Sequence, residues 1–199
     1  INLQNVMIAV GVGTGVGVNA MLSKSLGEKN QRRANATAEN GIFLSLWSFV
    51  VFLVIGLTCM KPYFYAQTGD EAIARQGIQY LSVCCIFSLG LFTQTMGEKL
   101  LAATGRTYLS MISQLTGAVV NIILDPILIF ALNMGVRGAA TATVISQAVG
   151  AVWVLRFLTG SRTRLRLSVK NMPLVGKVIG PCLGLGVSTF VMIATESIL

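Results

Sequence analysis

Histidine is absent from the 199 residues, and only seven residues are acidic. Without imidazole, the common zinc and haem ligand sets and a Ser-His-Asp relay are out of reach. So few acids leave a membrane-embedded hydrolase little to work with, and the chain does not read as an enzyme; no cofactor is expected. Charge of either sign is scarce, at 11% of residues against about 25% in an average soluble domain. A water-soluble globule keeps much of its surface wet, and this supply cannot cover it. Disorder requires the opposite composition. The four cysteines, Cys59, Cys84, Cys85 and Cys182, lie in or beside apolar runs without metal-ligand spacing, as small hydrophobes do. No charged flank or signal-peptide organisation surrounds the first apolar run. Apolar residues dominate instead, at 54%, with a mean hydropathy of +0.74. This composition belongs to an integral membrane protein whose solvent is the lipid bilayer.

Uncharged runs count the crossings, since about 20 apolar residues span a bilayer. Such runs cover 1–23, 41–60, 76–97, 138–155 and 178–195, and 107–134 is interrupted only by Asp125. They predict an all-α protein with six transmembrane helices at about 3–24, 40–61, 75–97, 108–132, 138–158 and 174–198. Barrel strands would be half as long and strictly alternating. The chain opens on Ile1 inside an apolar run and stops at Leu199, just after Glu196. Both ends look cut, as in a piece of a longer transporter or channel, so the remainder of its own chain is an expected partner.

Lys and Arg set the orientation. Lys24, Lys29, Arg32 and Arg33 flank the first connection, Lys99 and Arg106 the third, and Arg156, Arg162, Arg164, Arg166, Lys170 and Lys177 the fifth. Only Lys61, Arg75 and Arg137 fall on the other side. The positive-inside rule then places loops 25–39, 98–107 and 159–173 in the cytoplasm of a multi-pass inner (plasma) membrane protein. The net charge of +8 is thereby explained without nucleic acid. The run Arg162, Arg164, Arg166 suits anionic lipid headgroups, at roughly 1 kcal/mol per basic residue near the surface. Trp47, Tyr63, Tyr65, Tyr108 and Trp153 fall near span ends, as aromatic belts do.

Two spans carry more information than their hydropathy. In the first, Gly11, Gly13, Gly15 and Gly17 fail the dinucleotide fingerprint, because Val16 stands where it needs glycine. Gly13 and Gly17 instead have the small-xxx-small spacing of close helix contacts. The fourth span holds Asp125, an ionisable group costing at least about 2.5–3.5 kcal/mol at that depth. Asn121, Gly117, Gln114 and Ser110 precede it by helical steps and form one polar stripe. Pro126 removes a backbone donor and clashes with the carbonyl of Ile122, which predicts a bend beside the carboxylate. The fifth span offers a facing set, Ala139, Thr143, Gln147 and Gly150. Glu196 is a second acid, near the end of the sixth span. The alternative for Asp125 is a structural role, satisfied by hydrogen bonds from its neighbours.

These residues carry a resemblance. The stretch Gly117-Ala-Val-Val-Asn121-Ile-Ile-Leu-Asp125-Pro126, followed by Gly135-Val-Arg-Gly138-Ala-Ala-Thr-Ala-Thr143-Val-Ile-Ser-Gln147, resembles the MATE (multidrug and toxic compound extrusion) family. The glycine-rich first span through Asn30 and the stretch Glu98-Lys-Leu-Leu-Ala-Ala-Thr-Gly105 are similar to it as well. The resemblance implies a parent of twelve helices in two six-helix lobes that exchanges organic cations and amphipathic drugs for Na⁺ or H⁺ by alternating access. Residues 1–158 would be the second to sixth helices of the amino-terminal lobe, 159–173 the linker between lobes, and 174–199 the first helix of the carboxy-terminal lobe. It further implies that Asn121, Asp125 and Thr143 hold the coupling Na⁺ or proton. Gln114 and Gln147, from the polar faces of their spans, and Glu196, which matches no family carboxylate in register, are candidates for cavity lining. The family's first helix, which bears a further acid in the same site, lies outside this chain. A lipid-linked glycan flippase of the same superfold is a second reading, weakened because no Lys or Arg lies inside these spans. A structural membrane subunit without transport is a third.

Overall fold

In hydrocarbon every backbone polar group must be satisfied within the protein, and helices do this segment by segment. The computed structural model describes residues 2–67, 69–160 and 176–196, and every regular element among them is helical. They are α1 (Asn2–Gly27), α2 (Gln31–Gln67), α3 (Glu71–Ile86), α4 (Ser88–Ala103), α5 (Thr107–Pro126) with a π-helical turn (Ile127–Ala131), α6 (Val136–Leu158) and α7 (Gly176–Glu196). Five helices are long and apolar enough to cross a membrane, and α3 with α4 makes a sixth span bent by 52°. The chain is thus an all-α, multi-pass membrane protein.

The third expected helix, 75–97, is instead two. The helix ladder breaks at Phe87, and the Ser88 hydroxyl donates to the carbonyl of Cys85 at 2.8 Å across the break. Two expected loops also shrink. Of 25–39 only residues 28–30 lie outside helices. Lys29 turns the chain at φ 54°, and the Asn30 side chain accepts from the Arg33 N–H at 3.1 Å, capping α2. Ala34, Thr37 and Ala38, expected in a loop, are fully buried. Of 98–107 only residues 104–106 are non-helical, with Gly105 at φ 82° making the turn. Charged residues marked the ends of hydrophobic runs, but helices continue through charge until a cap or a turn residue stops them. The linker 159–173 and the run Arg162, Arg164, Arg166 lie outside the described residues, apart from Thr159 and Gly160.

Helix α4 is the hub, packed on α1, α2, α5 and α6, while α1 also carries α2 and α7. One core cluster joins Val18 and Leu22 of α1, Leu100 and Leu101 of α4 and Val154 of α6. A second joins Met7, Phe52, Cys85 and Phe92, with the Phe52 and Phe92 rings stacked at 5.7 Å. The glycines of α1 divide between two partners. Gly11 and Gly15 leave room for Phe92 and Lys99 of α4, whereas Gly13 and Gly17 meet the backbone of Gly186 and Cys182 in α7. The small-xxx-small pair therefore makes a backbone-to-backbone seam. Outward faces of α2 and α5 carry Val50, Val54, Leu57, Ile122 and Ile123, all exposed, as suits contact with lipid.

A candidate ion and substrate cavity between helices four, five and six

The polar stripe of α5 turns toward α4 and α6. Ser110, Ser113 and Gly117 are buried along it, and the Ser113 hydroxyl donates to the Gly150 carbonyl across the α5–α6 contact at 3.4 Å. Between these helices lies a cavity of about 270 Å³ lined by Gln94, Gln114, Gly117, Ala118, Asn121, Thr143, Ser146 and Gln147. No Lys or Arg is among its lining residues. Five residues singled out in the sequence, Gln114, Gly117 and Asn121 of α5 and Thr143 and Gln147 of α6, thus line one cavity.

Asp125 stands one turn beyond Asn121 on α5, half-buried and outside the lining set. It makes no side-chain hydrogen bond among the described residues. After it, beyond Pro126, where the sequence predicts a bend, α5 passes into the π-helical turn Ile127–Ala131. The Ile127 N–H bonds tightly to the carbonyl of Leu124, and the Leu132 N–H then reaches back five residues to Ile127 at 3.0 Å. Such π-turns are rare and concentrate at functional sites. Glu196 closes α7, and its side chain lies outside the described residues.

Glu98 is given no role by the sequence, where it only opens a family-like stretch and falls in the expected loop 98–107. It sits on α4, is only 7% exposed, and accepts two hydrogen bonds, from Gln94 Nε2 to one oxygen and from Gln114 Nε2 to the other, each at 3.0 Å. No cationic side chain lies within ion-pair distance of it among the described residues. Gln94 reaches this position because Gly150 of α6 has no side chain: a Cβ there would meet the Gln94 amide at 2.5 Å. The available signal was the run after it, Leu100-Leu101-Ala102-Ala103, which holds neither glycine nor proline before Gly105. The helix had no reason to stop at residue 97.

Hydroxyl geometry completes the cavity's character. The Thr143 hydroxyl donates to the Ala139 carbonyl at 3.0 Å, and that of Ser146 to the Thr143 carbonyl at 2.8 Å. Both protons are spent on the helix's own backbone, leaving oxygen lone pairs. The Asn121 amide nitrogen is buried and has no hydrogen-bond partner among the described residues. Among the described residues no cluster of three or more Cys, Asp or Glu is placed to hold a metal ion. What the cavity offers is neutral oxygen, backed by one buried acid.

Comparison with known proteins gives a consistent result. The family model described as MatE matches residues 1–127. A curated relative, multidrug export protein MepA of Staphylococcus haemolyticus (strain JCSC1435), is 27% identical over 188 residues, covering 94% of this chain and 42% of the relative. MepA of Staphylococcus aureus (strain MSSA476) is 24% identical over 189 residues, covering 93% and 42%. A solved inward-facing structure of a multidrug resistance MATE family transporter of the MOP superfamily superposes with a TM-score of 0.95 at 23% identity, covering all of this chain and 45% of that one. The outward-facing structure of such a transporter gives 0.92 at 24% identity, covering 98% and 44%. The chain therefore spans less than half the length of these relatives.

Proposed function

The chain belongs to the MatE family, and on that premise we propose that the protein carrying it exports organic cations and amphipathic drugs in exchange for Na⁺ or H⁺. The observation that carries this reading is the polar cavity between α4, α5 and α6, in a bundle whose outward faces are apolar. Asp125, Asn121 and Thr143 are the coupling residues. Asn121 and Thr143 offer oxygens from facing helices. Asp125, without a hydrogen-bond partner among the described residues, is the group whose charge an incoming ion neutralises. An unpaired carboxylate inside a span is costly, so ion binding has a definite free-energy consequence. Coupling requires that ion and drug favour different conformations of the protein. Gln114 and Gln147 line the same path. The names of the MepA relatives, multidrug export proteins, favour drugs as cargo. By the excess of Lys and Arg, the connections at 28–30 and 104–106 and the 159–173 linker face the cytoplasm of a plasma membrane.

The test uses the full-length protein that carries this chain, reconstituted in proteoliposomes loaded with an organic cation dye. A Na⁺ gradient and a pH gradient are imposed separately, on wild type and Asp125→Asn. Gradient-driven dye movement in wild type, lost in the variant while its thermal stability is kept, is the expected result. Undiminished exchange in Asp125→Asn removes the coupling role, and no movement under either gradient removes the antiport reading.

A further inference from the structure

We propose that Glu98 is a positioning residue that makes the α4–α5–α6 cavity receptive to a monovalent cation, by holding the amides of Gln94 and Gln114 so that their carbonyl oxygens are left for a ligand. The proposal rests on reading this cavity as the place where the ion or the cationic head of a drug is bound. An ionised carboxylate only accepts hydrogen bonds. Each glutamine must therefore turn its Nε2 edge to Glu98, and both do so at 3.0 Å. Both glutamines line the cavity, and their oxygens accept no hydrogen bond among the described residues. Thr143 and Ser146 add two further oxygens whose hydroxyl protons are already engaged. Four groups from three helices thus keep acceptors free: the two hydroxyls have spent their one proton, and each glutamine has one of its two N–H groups engaged by Glu98. With an acceptor from each of these four groups and a buried acid behind them, that wall favours a cation over an anion.

The remaining lining groups adapt. Among the described residues Gln147 makes no hydrogen bond, and Asn121 has a buried amide nitrogen without a hydrogen-bond partner. A half-turn of the Asn121 amide places its oxygen at the same point. The charge of Glu98 acts in the same direction: it is 7% exposed, and no cationic side chain among the described residues lies within ion-pair distance of it, so its negative potential falls on the cavity beside it. Low local dielectric strengthens that effect. A glutamine at position 98 would reverse part of this order. It has one accepting edge and one donating edge, so one of Gln94 and Gln114 must present its oxygen to it and turn an N–H toward the cavity.

The experiment measures thermal unfolding of the purified full-length protein against concentration of NaCl, with choline chloride holding ionic strength constant. A second arm uses tetraphenylphosphonium. These two probes separate an inorganic ion from the head of an organic cation. Glu98→Gln is expected to raise the half-maximal concentration of the stabilising cation by about tenfold or more, the scale of one hydrogen bond to a charged group. Glu98→Asp, which keeps an acceptor-only side chain, is expected to recover part of that affinity. A purely structural role would lower the cation-free unfolding temperature and leave the half-point where it was, and that outcome overturns the proposal. If Asp125→Asn abolishes cation stabilisation while Glu98→Gln leaves it untouched, the proposal falls and the ion-site reading stands. If neither cation stabilises wild type, both fall together. Should Glu98→Gln fail to fold, Gln114→Leu, on an exposed side chain, removes one oxygen and must also raise the half-point. An unmoved half-point there equally overturns the proposal.

Discussion

Replacing Gly150 with alanine tests whether the Gln94 amide is truly pinned. An ideal Cβ at this position meets Gln94 Nε2 at 2.5 Å, Cδ at 2.6 Å and Oε1 at 2.9 Å. Carbon contacts are comfortable at about 3.5–4.0 Å, so the amide must retreat by roughly 1 Å. A free glutamine would do this at little cost, since the amide ends a flexible side chain. Here its Nε2 donates to a buried carboxylate at 3.0 Å, and a hydrogen bond to a charged group contributes about 1.5–3 kcal/mol. Alanine in a helix interior returns about 1 kcal/mol over glycine. The net expectation is a loss of about 0.5–2 kcal/mol, read as a lower unfolding temperature of the full-length protein in detergent. The same substitution in a Glu98→Ala background meets an unpinned amide, and there it should stabilise by up to about 1 kcal/mol. The sign change between backgrounds is the measurement, because contacting residues couple by about 0.5–3 kcal/mol. A Gly150→Ala protein more stable than its parent in both backgrounds would refute the pinned-amide reasoning.

Two further expectations follow from the helix contacts and caps. Gly17→Ala places a methyl against the Cys182 backbone, where no side chain can yield, so α1 and α7 must part; overpacking of this kind costs about 1–3 kcal/mol, and cysteines introduced across the seam should cross-link more slowly in the variant. Asp70→Ala removes the carboxylate that accepts from the Ala72 N–H at 2.9 Å and caps α3; a loss of about 1 kcal/mol is expected, with hydrogen exchange accelerated in the first turn of α3 and unchanged in α5.

Much of the architecture is legible in the residues, for a physical reason: the bilayer imposes a minimum length and forbids loose backbone. Uncharged runs therefore locate the spans, and the stripe from Ser110 to Asn121 points to the right face of α5. The Gly13 and Gly17 spacing likewise identifies a close helix contact. Three things are not legible. The break at Phe87 has no glycine or proline within two residues to announce it. Loop lengths come out too long, because a charged residue ends hydropathy and does not end a helix. Glu98 is the instructive miss. A single acid beside a lysine reads as an interface residue until the fold supplies Gln114 from another helix, sixteen positions on. Burial of a charge is a tertiary fact, and only the polar partners that compensate it betray it.

The π-turn after Pro126 is a dislocation in the helical lattice. Between Ile127 and Leu132 the backbone takes up one residue more than an α-helix would for the same hydrogen-bonded turn. Each residue of an α-helix advances the azimuth by about 100°, so the two sides of the defect obey different wheels. Upstream, the wheel turns Ser110, Ser113 and Gly117 inward; downstream, Phe130 and Leu132 face outward while Leu128 is buried. The surplus residue acts as a phase adjuster. It lets the oily end of the span meet lipid without rotating the polar stripe away from α6. The helical hydrogen-bond register thus changes within six residues of Asn121, beyond the polar stripe and before α6 begins.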